Sequence, residues 1–250
     1  MSERVHDRRD RAESFGTVAV EYDAVRPAYP PALLDDLAAL RPAEVLDIGC
    51  GTGRAAVGLA ARGLAVLGVE LDAAMAAVAR AHGIDVEVAS FESWDAAGRS
   101  FDLVVSGQAW HWIDPARGVP KLASVLRPGG TAALFWNSAD LDADTLQMLD
   151  GVYREHAVDL MSYPRPFHVE EPPYADDLRA GGFDVTIRLD RWHTSYPTAQ
   201  WIRLVQTHSD HVVLDAERRA DLMAALAAAI DAHGGRIEAP YVTYTVLARR

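Results

Sequence analysis

Cysteine and basic charge are both scarce in this chain, and each shortage excludes a class of protein. Cys50 is the only cysteine among 250 residues, so neither an intrachain disulfide nor a thiolate-rich metal site can form. The chain has 24 basic and 36 acidic residues, which give a formal net charge of -12. That balance argues against a protein whose main partner is the phosphate backbone of a nucleic acid.

Long apolar runs are also missing. No apolar run approaches the roughly 20 residues that cross a bilayer, and residues 1–14 are charged and lack the apolar core of a signal peptide. We therefore expect no membrane partner and a cytoplasmic location. The histidines are scattered, except for His208 and His211, which have helical spacing without an evident third ligand. That pair predicts a helix end, and we expect no metal site.

Short apolar segments alternate with segments of helical spacing along most of the chain. This alternation predicts an α/β fold with a mostly parallel sheet. The predicted strands are residues 45–48, 65–70, 86–89, 101–106, 131–136, 183–192 and 241–248. The predicted helices are residues 15–26, 32–40, 54–61, 73–81, 118–126, 141–160, 175–180 and 216–232.

A glycine-rich turn follows the first predicted strand. The run Asp47-Ile48-Gly49-Cys50-Gly51-Thr52-Gly53 leads at once into an alanine-rich helix. Glycines let backbone N–H groups approach a ligand without obstruction by a Cβ atom. The spacing is G-x-G-x-G and not the G-x-G-x-x-G of dinucleotide-binding proteins. It therefore favours S-adenosylmethionine (SAM) over a cofactor that bears a pyrophosphate.

Three acidic residues lie near this turn. Glu70 ends the second strand, about 20 residues beyond the first glycine, where doubly wound folds place an acid that binds ribose hydroxyls. The alternative for Glu70 is a solvated acid that opens a loop. Asp72 is better explained as a helix N-cap. Asp47 either meets a cationic ligand or braces the loop, because a buried acid needs a partner.

The segments after the third and fourth strands carry further candidates. Phe91 and Glu92 follow the third strand and are expected to meet an adenine ring, unless Phe91 folds onto the core. His111, between Trp110 and Trp112 after the fourth strand, is a candidate general base. The two tryptophans either wall a substrate pocket or pack the helix that follows, in which case His111 caps that helix.

These motifs together resemble the class I SAM-dependent methyltransferases of the small-molecule type, and are similar to the group that includes the trans-aconitate and quinone-precursor enzymes. The match lies in residues 15–30, 44–53, 67–72, 101–114 and 126–130, including the run Gln108-Ala109-Trp110-His111-Trp112. The resemblance implies a Rossmann-like seven-stranded sheet in the order 3-2-1-4-5-7-6, with the last strand antiparallel, helices on both faces and an N-terminal helical cap. Glu70 stands where many relatives carry Asp.

The resemblance also implies one domain over residues 1–250. Residues 1–40 form the cap, 41–137 the cofactor-binding core, and 138–250 the acceptor-side helices and last strands. It implies SAM as cofactor and S-adenosylhomocysteine (SAH) as product. The predicted cofactor-binding residues are Tyr22, Arg26, Asp47, Gly49, Cys50, Gly51, Gly53, Glu70, Leu71, Phe91, Glu92, Ser106, Gly107 and Gln108.

The implied activity is methyl transfer to oxygen, nitrogen or carbon of a small organic acceptor. The predicted substrate residues are Trp110, His111, Trp136, Asn137 and Tyr163, with His111 as the catalytic candidate. Alanine- and arginine-rich usage resembles that of high-GC bacteria and suggests secondary metabolism. No Asn/Asp-Pro-Pro-Tyr tetrapeptide of the nucleic-acid enzymes is present. A monomer or homodimer is expected. The alternatives are a non-catalytic SAM- or SAH-binding regulatory module and another SAM-dependent reaction on the same fold.

Overall fold

Within the part of the chain that the structure describes, seven strands form one sheet in the order β3-β2-β1-β4-β5-β7-β6. The computed structural model describes residues 15–157, 160 and 174–250. Strands β1 to β5 pair in parallel, and β7 is antiparallel to both β5 and β6. The predicted α/β fold, strand order and antiparallel last strand are therefore confirmed.

The strand bounds differ from the prediction mainly in the second half of the sheet. The strands are β1 (Val45–Ile48), β2 (Val66–Glu70), β3 (Asp85–Val88), β4 (Phe101–Gly107), β5 (Leu126–Ala139), β6 (Asp184–Pro197) and β7 (Arg236–Arg249). Strands β6 and β7 are longer than predicted because they pair with each other beyond the rest of the sheet, where their exposed polar residues hide the apolar pattern.

Helices cover both faces of the sheet. They are α1 (Ala19–Val25), α2 (Pro31–Ala39), α3 (Arg54–Ala60), α4 (Ala73–Ala81), α5 (Pro115–Val125), α6 (Ala143–His156), α7 (Ala175–Ala180), α8 (Thr198–Gln206), α9 (Ser209–Val212) and α10 (Ala216–Ala232). Short 3-10 turns occupy Phe15–Val18 and Trp110–Trp112. None of the helices in the described ranges is long and apolar enough to cross a membrane.

Aspartates begin several of these helices, as the N-cap prediction for Asp72 requires. The Asp72 carboxylate accepts hydrogen bonds from the backbone N–H groups of Ala74 and Met75 at 2.7 and 3.1 Å. Asp142 and Asp215 cap α6 and α10 in the same way. Each cap satisfies backbone donors that have no partner within the helix.

Helix α8 was not predicted from the sequence, and of α9 only a helix end at His208 and His211 was predicted. Helix α8 follows Pro197 directly and buries Trp201, Leu204 and Val205. Their spacing is helical, but the segment is only 9 residues long and lies next to a strand. Trp201 is fully buried, so it packs the helix onto the core.

The sheet determines where a ligand can bind. The parallel strands β1, β2 and β4 end at one edge, at Ile48, Glu70 and Gly107. Ligands of open α/β sheets bind beyond this carboxyl edge, where the strand order reverses. Here the reversal falls between β1 and β4, which pair directly although β2 and β3 come between them in the chain.

Candidate cofactor site

A cavity opens at the carboxyl edge of β1, β2 and β4. It holds about 1090 Å³ of empty space, including its open mouth. Eleven of the fourteen predicted cofactor residues line it, namely Tyr22, Asp47, Gly49, Cys50, Gly51, Glu70, Leu71, Phe91, Glu92, Gly107 and Gln108. The sheet therefore brings together residues that are up to 86 positions apart in the chain (22 to 108).

The glycine turn needs glycine for conformation and for space. Gly49 and Gly51 have φ angles of +62° and +58°, a left-handed conformation that side chains disfavour. A Cβ atom on Gly49 would lie 2.5 Å from the Cβ of Ala109. The turn between β1 and α3 is therefore held against the loop that follows β4, and it forms one wall of the cavity.

Glu70 is held in place by the turn that it faces. Its Oε2 accepts a hydrogen bond from the backbone N–H of Gly51 at 2.8 Å, and its Oε1 accepts one from Asp72 N–H at 2.9 Å. Burial raises the pKa of this carboxyl, while the two backbone hydrogen bonds lower it. A carboxylate oxygen accepts more than one hydrogen bond, so Glu70 is oriented and retains capacity for ligand hydroxyls.

Asp47 is a buried acid at the end of β1. It is 1% exposed, and neither carboxylate oxygen makes a hydrogen bond of good geometry among the described residues. Burial raises its pKa to about 8; the Ala56 backbone N–H favours the charged form, and Glu70 opposes it. An unpartnered buried carboxyl is costly. Because Asp47 lines the cavity, a cationic or hydrogen-bonding ligand group there would compensate for that cost.

Aromatic residues from two segments meet at the cavity. Phe15, in the turn before α1, has its ring centroid 5.8 Å from that of Tyr22 and 6.2 Å from that of Trp112, and all three line the cavity. Arg54, at the start of α3, donates to the backbone oxygens of Asp23 and Pro27 at 2.6 and 3.4 Å. The glycine-turn side of the cavity is thus bonded to the chain segment that covers it.

Phe91 is in a position that fits both roles considered for it, packing on the core and contact with a ligand. Its ring is 4% exposed and lies 6.2 Å from Trp110 and 6.5 Å from Trp94 by ring centroids. It also lines the cavity. The same side chain is therefore a core residue and a wall for a ligand.

Three predicted cofactor residues do not line the cavity. Arg26 donates to the Oγ1 and backbone oxygen of Thr207, both at 2.8 Å. The buried Ser106 hydroxyl donates to the backbone oxygen of Ile48 at 2.9 Å and joins β4 to β1. Gly53 begins α3 at φ +87°, and a Cβ there would lie 3.1 Å from Ala79. All three residues connect elements around the site, and their contact with the cofactor stays a prediction.

The predicted substrate residues divide between core and rim. Trp110 is fully buried and lies against Gly118 of α5, where a Cβ atom would be 3.6 Å from its ring, so packing accounts for its position. His111 is half-buried, and its Nδ1 accepts a hydrogen bond from Trp136 Nε1–H at 3.1 Å. Trp136 is itself fully buried. Asn137 Nδ2 donates to the backbone oxygen of Ala28 at 3.1 Å.

Tyr163 lies outside the described residues, as does the rest of the proline-rich segment 161–173. Sequence reasoning missed Tyr29 and Arg54, which both line the cavity. Tyr29 directly precedes two prolines, and such a segment is typical of a linker, so it was not considered as a site residue. Burial raises its pKa well above the ordinary value, and nearby Asp47 adds to that effect.

His208, Asp210 and His211 come together at α9, with one ligand atom from each within 4.8 Å of the others. Both ring nitrogens of His211 already have partners. Nε2 lies 2.8 Å from the hydroxyl of Tyr153 and Nδ1 lies 2.7 Å from Asp210 Oδ1. These bonds fix α9 on α6, so packing accounts for the cluster. The expectation of no metal site stays a prediction.

Comparison with known proteins supports the resemblance to methyltransferases that the sequence motifs suggested. Residues 46–134 match the family model described as a methyltransferase domain. An uncharacterized methyltransferase of Mycobacterium tuberculosis is 41% identical over 138 residues, covering 53% of this chain and 56% of the relative. The chain therefore matches only a little over half of that relative's length.

Two further matches cover more of the chain. A malonyl-[acyl-carrier protein] O-methyltransferase of Herminiimonas arsenicoxydans is 29% identical and covers 76% of this chain and 73% of the relative. A solved structure from Anaeromyxobacter dehalogenans, provisionally named a type II methyltransferase, is 26% identical with a TM-score of 0.63, covering 90% of this chain and 97% of that chain. With the fold and the glycine turn, these matches show that the chain carries a class I SAM-dependent methyltransferase domain, whose cofactor is SAM.

Proposed function

We propose that this chain transfers a methyl group from SAM to oxygen, nitrogen or carbon of a small organic acceptor. The observation that carries the proposal is the braced carboxylate of Glu70 beside the glycine turn, in one cavity with Asp47. A secondary-metabolic role is part of the proposal and rests on composition alone. We also propose that the acceptor is a small molecule and that the protein binds neither nucleic acid nor a membrane.

The residues present suit the parts of SAM. Glu70 would accept hydrogen bonds from the ribose hydroxyls, and Phe91 with Glu92 would border the adenine. Asp47 would face the positive charge of the ligand, which offsets the free-energy cost of burying a charged carboxylate. The backbone of the glycine turn would contact the ligand closely, since Gly49 and Gly51 have no side chain.

The chemistry that SAM supplies is an electrophilic methyl group on a sulfonium. The chain's own contribution is alignment and exclusion of water. Phe15, Tyr22 and Trp112 provide apolar surface at the cavity, and Arg54 bonds the covering segment to α3. In a direct displacement at carbon the acceptor itself attacks the methyl group, so none of these side chains needs to act as a nucleophile.

The acceptor side is proposed to lie beside Trp112 and His111. The His111 and Trp112 ring centroids are 4.9 Å apart, so His111 is next to a cavity residue. Oxygen acceptors are the first to test, because the relative from Herminiimonas arsenicoxydans is named an O-methyltransferase. Carboxylic acids and phenols come before amines for this reason.

Calorimetric titration with SAH, with NAD as the comparison ligand, tests the cofactor assignment. We expect SAH to bind in the micromolar range and NAD not to bind. Glu70→Gln should weaken SAH binding roughly 10- to 100-fold. Both oxygens of the Glu70 carboxylate accept hydrogen bonds from backbone N–H groups, and in the variant the amide NH₂, which is a donor, would face one of these N–H donors. Asp85→Asn is the matched control, since Asp85 is an exposed acid of β3 outside the cavity lining.

Turnover separates the enzyme from a binding module. Production of SAH from SAM with a panel of carboxylic acids, phenols and amines would support the transferase. Tight SAH binding without turnover of any acceptor would favour the regulatory module or another SAM-dependent reaction, since fold alone does not fix function. Failure to bind SAH would overturn the proposal as a whole.

A further inference from the structure

We propose that Tyr29 donates a hydrogen bond to the carboxylate at the amino acid end of SAM and SAH, and that Asn137 positions Tyr29 for this contact. The inference rests on the proposed methyl transfer, because it takes SAM as the ligand of the cavity. It adds a contact that neither the glycine turn nor Glu70 and Asp47 supply.

The Tyr29 hydroxyl lies beside the last residue of β4, at the edge of the sheet where the cavity opens. Tyr29 and Gly107, which ends β4, both line the cavity. A Cβ atom on Gly107 would lie 2.5 Å from the hydroxyl oxygen of Tyr29, so the missing side chain makes room for this hydroxyl. The Tyr29 ring packs against the fully buried Phe135, with centroids 4.6 Å apart and an interplanar angle of 77°. The core therefore holds the ring, and the hydroxyl stands at the cavity.

This hydroxyl is a buried donor that has no acceptor in the protein. Tyr29 is 9% exposed, and its hydroxyl makes no hydrogen bond within residues 15–157, 160 and 174–250. Burial, Tyr22 and Asp47 raise the pKa of the phenol well above its ordinary value, so the group keeps its proton. A buried donor without an acceptor costs free energy. A ligand with an acceptor oxygen would offset that cost.

The order of the strands indicates which part of SAM would reach this hydroxyl. Strands β3, β2, β1 and β4 follow one another across the site. In the proposed function the adenine lies beside Phe91, after β3, and the ribose beside Glu70, at the end of β2. The rest of the cofactor, which is the sulfur with its amino acid end, would then extend toward the ends of β1 and β4. Asp47 and Gly107 line the cavity there.

The charges around Tyr29 favour the carboxylate of that amino acid end over its ammonium. An α-amino acid carries both groups on one carbon atom. Asp47 is near enough to Tyr29 to act on its pKa, and a carboxylate attracts the ammonium and repels an anion. The positive charges of Arg54 and Arg26 act on Tyr29 in the opposite sense to Asp47. A phenol O–H next to these cations suits a charge-assisted hydrogen bond to a carboxylate oxygen.

Hydrogen bonds to the backbone on both sides of Tyr29 hold it in place. Before it, the backbone oxygen of Ala28 accepts a hydrogen bond from Asn137 Nδ2 at 3.1 Å. After it, the backbone oxygen of Pro30 accepts from two N–H groups in the first turn of α2, at 3.1 and 3.3 Å. A donor that is already in position loses little conformational entropy when the ligand binds.

Asn137 is in turn oriented by two residues of the β6–β7 hairpin. Trp192 Nε1 lies 2.8 Å from Thr243 Oγ1, which lies 2.7 Å from Asn137 Oδ1. An indole N–H donates only and an amide oxygen accepts only, so the Thr243 hydroxyl accepts from Trp192 and donates to Asn137. The amide NH₂ of Asn137 is thereby directed at Ala28. This chain of hydrogen bonds is the basis for the positioning role of Asn137.

The contact with the carboxylate is tested by changing the protein and the ligand together. Calorimetry compares SAH, its analogue without the carboxylate, and 5′-methylthioadenosine, which lacks the whole amino acid end. We expect Tyr29→Phe to weaken SAH binding about 10- to 100-fold, the effect of losing a hydrogen bond to a charged group, and to change the other two affinities less than about 3-fold. Equal losses for all three ligands, or no loss for any of them, would overturn the proposal.

Tyr174→Phe is the matched control, because it removes the same atom from a tyrosine that does not line the cavity. It should leave the affinities for all three ligands unchanged.

A double-mutant cycle tests the positioning role of Asn137. Asn137→Ala should weaken SAH binding about 3- to 10-fold on its own, through loss of the bond to Ala28. It should cause little further loss when it is added to Tyr29→Phe, because residues that act through one contact are not additive. Additive losses would contradict the positioning role.

The two proposals fail in different ways. If the unmodified protein does not bind SAH, both are overturned. If it binds SAH and Tyr29→Phe binds SAH equally well, methyl transfer stands and only the role of Tyr29 is lost. Slower turnover by Tyr29→Phe with unchanged SAH affinity would place Tyr29 at the acceptor, and it too would overturn the contact with the cofactor.

Discussion

At the scale of the residue, Asp47 shows how a buried acid depends on its environment. The carboxyl is 1% exposed, and its pKa is raised to about 8 by burial. An aspartate in an unfolded chain has a pKa of about 3.9. At a pH between these two values, Asp47 keeps its proton in the folded protein but has released it in the unfolded chain. The contribution of Asp47 to the free energy of unfolding therefore falls as the pH rises.

We predict that Asp47→Asn makes the free energy of unfolding less dependent on pH. In the ligand-free protein, Asp47 should lower that free energy by up to about 1.4 kcal/mol for each pH unit between pH 5 and pH 7.5. Asparagine does not titrate, so the difference between variant and unmodified protein should grow over this range. Urea unfolding at several pH values measures it.

The exposed Asp85 provides the control for this series. Asp85→Asn should leave the pH dependence of unfolding unchanged. If Asp47→Asn and the unmodified protein follow parallel curves of stability against pH, then Asp47 does not hold a proton in the folded state.

At the scale of the element, the turn between β1 and α3 combines backbone strain with close packing. Gly49 has a φ of +62°, and its missing Cβ makes room for Ala109 in the loop after β4. Gly63 also has a positive φ, +84°, but a Cβ there would meet nothing within 4 Å. The two glycines therefore separate the cost of conformation from the cost of contact.

We predict that Gly49→Ala abolishes measurable SAH binding while Gly63→Ala preserves it. The left-handed conformation alone costs about 1–2 kcal/mol, which both variants share. The overlap with Ala109 applies to Gly49 only and would displace the cavity wall. Calorimetry with SAH and thermal unfolding compare them. Equal affinity of the two variants would mean that the turn relaxes without changing the site.

At the scale of the whole molecule, the N-terminal segment is attached to the late helices. Arg26 makes two hydrogen bonds to Thr207 at the end of α8, and its guanidinium carbon lies 4.9 Å from the centroid of the Tyr22 ring. Arg203 of α8 pairs with Glu21 at 2.6 Å on the exposed side of the same contact. Tyr22 lines the cavity, so these bonds connect the late helices to the ligand site.

We predict that Arg26→Ala weakens SAH binding about 3- to 30-fold through loss of this attachment. Two hydrogen bonds from a charged group account for about 1–2 kcal/mol of that effect. Arg203→Ala is the matched control and should change affinity less than about 3-fold, because exposed ion pairs contribute little.

Hydrogen exchange distinguishes attachment from direct ligand contact by Arg26. In the ligand-free protein, Arg26→Ala should speed exchange of the backbone amides of Ala19–Val25. Unchanged exchange with weakened SAH affinity would instead support the direct cofactor contact that the sequence predicted.

The sequence by itself determined the alternation of strands and helices and most of the residues that line the cavity. The signals were local: an apolar strand, a glycine turn and an acid at a fixed distance, each readable within about 25 residues. Glu70 is the best example, because it lies only 19 positions from Gly51, the residue of the turn that bonds to it. The family resemblance then supplied the strand order.

Only the tertiary structure decided what the polar and aromatic residues around the site do. Arg26 meets Thr207 across 181 positions, and Trp136 meets His111 across 25. Neither pairing has a sequence signal, since each depends on how the sheet and the late helices pack. The direction of the second bond follows from the partner, because an indole N–H donates and cannot accept.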